Sequence, residues 1–152
     1  MTTSIRWQVP GPLSADEARI ARDLHRIGKF YVFLREIRHA LFDEAFQAEL
    51  AAVYQPRGTA PVPPALLAMV LLLQAYDQVG DADAVITARM YLRWQLVLGC
   101  LGAEKAPFSQ GVLVAFRERL IAVRRNGHCP LLHGHTRTHR PWHQREFNPA
   151  LG

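Results

Sequence analysis

The stretch "PALLAMVLLLQAYDQV", Pro64 to Val79, decides the fold class. Its apolar run, Ala65 to Leu73, is nine residues long. That is about half of the ~20 residues needed to cross a bilayer, so it predicts a buried helix of a soluble protein and no membrane partner. Pro63 or Pro64 suits the first helical turn, where the missing N–H would be unpaired anyway and the fixed φ is already helical. Apolar side chains occur nearly all round this helix, so it belongs at the centre with other helices packed against it.

On the N-terminal side, residues 1–13 read as an irregular lead-in ending in "PGP". "SADE" then offers Ser14 as an N-cap with Glu17 three residues on, a capping box. Ile20, Leu24 and Ile27 recur at helical spacing behind it, and Gly28 suits a stop. Phe33, Ile37 and Leu41 form the stripe expected of the next helix. Asp43 can cap a third through Phe46, Leu50 and Val53, before "YQPRGTAPVPP" breaks the pattern as a loop.

On the C-terminal side, Gly80 punctuates and Asp81 is the expected cap of a helix to about Leu98. Its stripe is Ile86, Met90, Trp94 and Val97, with Arg89 and Arg93 on another face. "GCLGAEKAP" is a linker. Ser109 caps a last helix carrying Val112, Leu113, Phe116, Leu120 and Ile121, with Arg117 and Arg119 away from that stripe. No strand alternation and no internal repeat occur, so residues 14–122 are predicted to form one all-α, small multi-helix domain.

Composition agrees: 49% of residues are hydrophobic and 20% charged, the balance of an ordinary soluble domain. Met1 to Pro12 has no apolar run of the signal-peptide kind. Two cysteines, Cys100 and Cys129, make no disulfide framework, so a reducing cytoplasm is expected. The net charge of +5 is concentrated at the end of the chain. Met1 to Ala122 holds 13 Lys and Arg against 12 Asp and Glu, whereas Val123 to Gly152 holds five arginines against one glutamate.

That last segment has five of the seven histidines and no apolar periodicity, the composition of a disordered basic, His-rich tail. Within it, His135 and His139 have the separation of the second half of a zinc-finger site, but the first half, a close cysteine pair, is missing. A set drawn from His128, Cys129, His133, His135 and His139 would have to order a flexible segment before binding, so no metal site and no cofactor are expected. Asp77, Asp81 and Asp83 flank a helix end and the next helix start, where carboxylates cap and favour the dipole. His25 and His39 stand alone on predicted helices. No nucleophile–base order, phosphate loop or HExxH motif is present, and no catalytic residue is assigned.

The remaining candidates are arginines on the last two helices. These two helices can form a helix-turn-helix-like pair. Ser109, Gln110 and Val114 would then face a groove of DNA, and Arg89, Arg93, Arg117 and Arg119 would meet phosphates. The same arginines also suit a solvated helix face, and the linker is longer than the usual three- or four-residue turn.

Three blocks in order resemble the N-terminal domain of bacterial insertion-sequence transposases of the InsH-like type. The first is "AELAAVYQPRGTAPVPPALLAMVLLLQAYDQV", with its Gly and Pro break before a Leu-rich helix. The second is "YLRWQLVLG", and the third "PFSQGVLVAFRERL". The similarity spans about residues 30–122, with one departure at Phe108, where many relatives carry Asp. The resemblance implies recognition of terminal inverted repeats, or assembly of the transposition complex. In that family the chemistry belongs to a downstream RNase H-like domain with an Asp-Asp-Glu triad. The thirty residues after Ala122 cannot hold it, so the chain is expected to be a truncated transposase without an enzyme activity of its own. The abrupt change at 122 is what a shifted reading frame through GC-rich DNA produces. The implied partners are DNA and, for the rival reading, an intact transposase that this helical module pairs with and inhibits.

Overall fold

The structure is a computed structural model and describes residues 6–54 and 61–126. Seven helices and no strand occur among them: α1 (Ala15–Asp23), α2 (Lys29–Leu41), α3 (Glu44–Val53), α4 (Pro64–Asp77), α5 (Asp81–Met90), α6 (Leu92–Leu98) and α7 (Gln110–Arg125). The described residues are all-α, as expected.

Helix α4 holds the centre. Ala65, Leu67, Met69, Val70 and Leu73 are almost wholly enclosed, and α3, α5, α6 and α7 all pack on it. Only Leu72 and Tyr76 reach solvent as large apolar side chains of this helix. The local start signals act as read. Ser14 Oγ accepts from Glu17 N while the Glu17 carboxylate accepts from Ser14 N. Asp43 accepts from Phe46 N at 2.8 Å, Ser109 accepts from Val112 N, and Pro64 opens α4.

Three periodic readings are corrected. Asp81 is not a cap: Gly80 takes that place in extended backbone, and Asp81 is the first residue of α5. The helix expected to reach Leu98 breaks at Tyr91, whose φ of −109° and ψ of 117° end α5 and start α6. The break re-aims the chain so that Trp94, Leu96, Val97 and Leu98 are all enclosed. Ile86 and Met90 therefore do not continue the Trp94–Val97 stripe and stand 57% and 66% exposed. The inward face of α5 is instead Ala84, Thr87 and Ala88, small residues that let it approach its neighbours closely.

On α2 the buried face is Tyr31, Leu34, Arg35 and Arg38, at helical spacing, while Phe33 is half-exposed. Two of those four are arginines, which is why an apolar stripe did not reveal them. Arg38 donates to Val97 O at 3.1 Å and Gln8 O at 2.9 Å and lies over the Trp7 ring. Arg35 reaches Gly11 O and Glu17. The segment before α1 is thus held down by two buried arginines. Ile27 lies past the end of α1 and is exposed, so α1 buries only Ile20.

Helix α7 runs to Arg125, three residues beyond the expected boundary at 122. Residues 127–152, with the zinc candidates His128, Cys129, His133, His135 and His139 and most of the segment expected to be a frameshifted tail, lie outside the described residues.

Candidate nucleic-acid interface

Charge divides along the described chain in a way that the overall balance hides. From Arg6 to Asp83 the described residues hold seven Lys and Arg against ten Asp and Glu. From Ala84 to Asn126 they hold seven against two, and seven against four when the whole of α5 from Asp81 is counted. Helices α5 to α7 are therefore the cationic part of the domain, and a polyanion would be drawn to them first.

Within that part, α5 and the start of α7 are brought together across the loop that follows α6. A groove of about 400 Å³ lies between them, with Val85, Ala106 and Phe108 among its walls and Arg89, Lys105, Ser109 and Gln110 around it. Arg89, Lys105 and Gln110 are exposed. Phe108 is buried and packs into the core beneath the groove. Gln110 is the first residue of a sixteen-residue helix, so its side chain projects from an end whose free N–H groups favour an anion. The two helices expected to form a helix-turn-helix-like pair are not consecutive, because α6 and residues 99–109 intervene between α5 and α7.

The other anticipated arginines are placed differently. Arg117 Nη1 donates to Asp81 Oδ2 at 2.8 Å and Nη2 to Gln74 Oε1 at 3.1 Å, so it is engaged within the fold. The hydrogen bonds that Asp81 accepts, first from Arg117 and then from Gln74 Nε2, pull its carboxyl down to about 2. Arg93 lies between the rings of Tyr31 and Tyr91, 3.9 Å from Asp77 Oδ2. Arg119 is exposed on α7. Ser109 faces the groove while its hydroxyl caps α7. Lys105, in the linker, was not anticipated, since a lone lysine in a loop carries no periodic signal.

The three aspartates do more than favour helix ends. Asp77 accepts from the Tyr31 hydroxyl and from Trp94 Nε1, the latter at 2.6 Å, and ties α2 and α6 to the end of α4. Burial, and then the hydrogen bond to Asp77, push the Tyr31 phenol well above its ordinary range. Asp81 is the ion-pair partner of Arg117, and Asp83 sits in the first turn of α5. No group of three or more His, Cys, Asp or Glu among the described residues has the proximity to hold a metal ion. Burial pushes the Cys100 thiol up to about 11, which removes thiolate reactivity near neutral pH. His25 and His39 are exposed and solitary. No helix among the described residues is long and apolar enough to cross a membrane.

A family model described as a transposase domain (DUF772) matches residues 19–119, about two thirds of the chain. No curated protein matches the chain, and no solved structure does.

Proposed function

The chain belongs to the transposase domain family (DUF772), and from that premise we propose that it recognises duplex DNA through the groove between α5 and α7. The observation that carries this reading is the convergence of Arg89, Lys105, Ser109 and Gln110 on one groove in the cationic part of the domain. Exposed guanidinium and ammonium groups neutralise phosphates, and an amide on the first turn of a helix can pair with a base edge. Arg89, Lys105 and Arg119 are the phosphate contacts in this reading, and Gln110 reads a base. Ser109 orders the start of α7 rather than touching DNA. Arg117 and Arg93, engaged with Asp81 and with two tyrosine rings, take second place. The DNA would be the terminal inverted repeat of an insertion element of the InsH-like type, with strand transfer carried out by a separate catalytic domain.

The test is fluorescence anisotropy with an inverted-repeat duplex and a scrambled duplex of equal length. The parent protein should prefer the inverted repeat, with affinity falling as salt rises. The Arg89→Ala, Lys105→Ala double variant should weaken binding to both duplexes and flatten the log–log salt slope by about two. Binding that ignores salt and these two residues rejects the groove.

A second reading has its own observation. Ile86, Met90, Tyr91 and Leu92 stand exposed around the α5–α6 break, a cluster of large apolar side chains of the kind that marks protein contacts. On this reading the module pairs with an intact transposase and inhibits it. Co-purification with such a transposase after nuclease treatment, lost in Ile86→Lys, Met90→Lys, would support it.

A further inference from the structure

A line of aromatic rings interrupted by one guanidinium crosses the bundle where α2 begins, α4 ends and α6 begins. Phe30 and Tyr76 stack with ring centroids 3.8 Å apart and planes inclined by 20°. Tyr31 meets Tyr76 edge-on at 5.8 Å. Arg93 Cζ then lies 5.3 Å from the Tyr31 centroid and 5.2 Å from that of Tyr91. The middle of the line is covered, but Tyr76 and Tyr91 are 54% and 50% exposed. Its base is rigid, because Asp77 holds the Tyr31 hydroxyl and the Trp94 indole together.

Arg93 is the unusual member. Its guanidinium makes no hydrogen bond to another described residue, and its closest carboxylate oxygen is 3.9 Å away. Its Nε is buried without a partner. Asp77 attracts it electrostatically, but at 3.9 Å its oxygen is too far to accept a hydrogen bond. Nε is out of reach of a ligand, but the side chain is 39% exposed, so the outer edge of its guanidinium invites an anion, and exposed rings beside it invite flat partners. A strand of unpaired nucleotides supplies both at every step, phosphate and base in alternation, whereas a duplex exterior keeps its base faces stacked inside.

We propose that this line is a platform for single-stranded DNA, with unpaired bases stacking on Tyr76 and Tyr91 and a backbone phosphate meeting Arg93. The platform goes beyond the duplex groove and does not depend on it. Packing alone explains the enclosed Tyr31 but not why two tyrosines should stay half in water on either side of an arginine held only by ring faces and a carboxylate 3.9 Å away.

Fluorescein-labelled oligothymidylate of about 15 nucleotides is the probe, long enough for stacking sites of this kind. Its anisotropy is titrated alongside that of the inverted-repeat duplex, with one protein preparation. The parent protein should bind it, and Tyr76→Ala and Tyr91→Ala should each weaken that binding by about tenfold while leaving duplex binding unchanged. Tyr76→Phe and Tyr91→Phe should restore it, since the ring and not the hydroxyl is used. The proposal is overturned if oligothymidylate is not bound, if the alanine variants bind it as the parent does, if they lose duplex and single strand alike, or if phenylalanine fails to rescue. Loss of duplex preference in the parent, with oligothymidylate binding intact, would overturn the groove reading alone.

Discussion

Arg117 joins three helices: its guanidinium donates to Asp81 in the first turn of α5 and to Gln74 in the last turn of α4, while its backbone belongs to α7. Gln74 in turn donates to Asp81 Oδ1 at 3.0 Å, closing a small polar ring at the edge of the core. The Asp81 carboxyl is held at about 2, below its ordinary 3.8. A carboxyl whose folded value is depressed contributes stability above its unfolded value and loses it as pH falls through the folded one. Asp81→Asn should therefore lower stability by about 1 kcal/mol at pH 6, a modest figure because the pair is partly in water. The gap between variant and parent should close between pH 4 and pH 2. Urea unfolding across that range checks it, and a gap that persists undiminished at pH 2 refutes the pairing.

Trp94 lies wholly inside the core and spends its only donor on Asp77. Trp94→Phe removes ring volume and leaves a mostly covered carboxylate with one donor fewer. The two effects together should cost about 2–4 kcal/mol. Asp77→Asn keeps the volume and an acceptor, so its loss should be clearly smaller. Equal losses in chemical denaturation would mean that the hydrogen bonds of Asp77, not the ring volume of Trp94, fix α6.

What could be read ahead of the structure was local. Ser14, Asp43 and Ser109 each act within three residues of their own position, so spacing alone revealed them as caps, and the uniformly apolar α4 could only be central. What escaped depends on partners distant in sequence. Asp77 meets Tyr31 46 residues away, and no periodicity connects them. Arg35 and Arg38 look like surface residues until their partners, Gly11, Glu17, Gln8 and Val97, are known. The break at Tyr91 escaped for a related reason. Residues 81–98 contain no Gly or Pro to announce it, and tertiary burial of Trp94 to Leu98 overrides a locally continuous helical pattern. At the candidate interface, Arg89, Ser109 and Gln110 were legible as polar positions on helices, but their meeting with Lys105 required the path of the loop.

Gly99 ends α6 with a φ of +70°, and Gly102 follows in the same loop at +77°. Both are in the left-handed region, so alanine at either should cost about 1 kcal/mol from backbone strain. Only at Gly99 is the added methyl crowded: its Cβ would lie 3.0 Å from Arg38 Nη1, whereas nothing lies within 4 Å at Gly102. Arg38 cannot yield freely, because the same nitrogen donates to Val97 O. Gly99→Ala should thus be the more destabilising by about 1 kcal/mol or more. Thermal melts of the two variants measured side by side decide it, and equal shifts would show that Arg38 is not a fixed wall.

Ser109 and Gln110 are adjacent at the groove, yet their chemistry predicts opposite phenotypes. The Ser109 hydroxyl is committed to Val112 N, so Ser109→Ala should lower stability by about 1 kcal/mol. Its affinity for duplex, measured well below the melting temperature, should stay close to that of the parent. Gln110 is exposed and makes no side-chain hydrogen bond to another described residue, so Gln110→Ala should leave the melting temperature in place. If its amide reads a base, the same change should erase about 1–3 kcal/mol of the preference for the inverted repeat over the scrambled duplex. Binding to the scrambled duplex should not move, because phosphate contacts by Arg89 and Lys105 survive. A Gln110→Ala variant that weakens both duplexes equally would make Gln110 a phosphate contact, and base recognition would have to be sought elsewhere on α7.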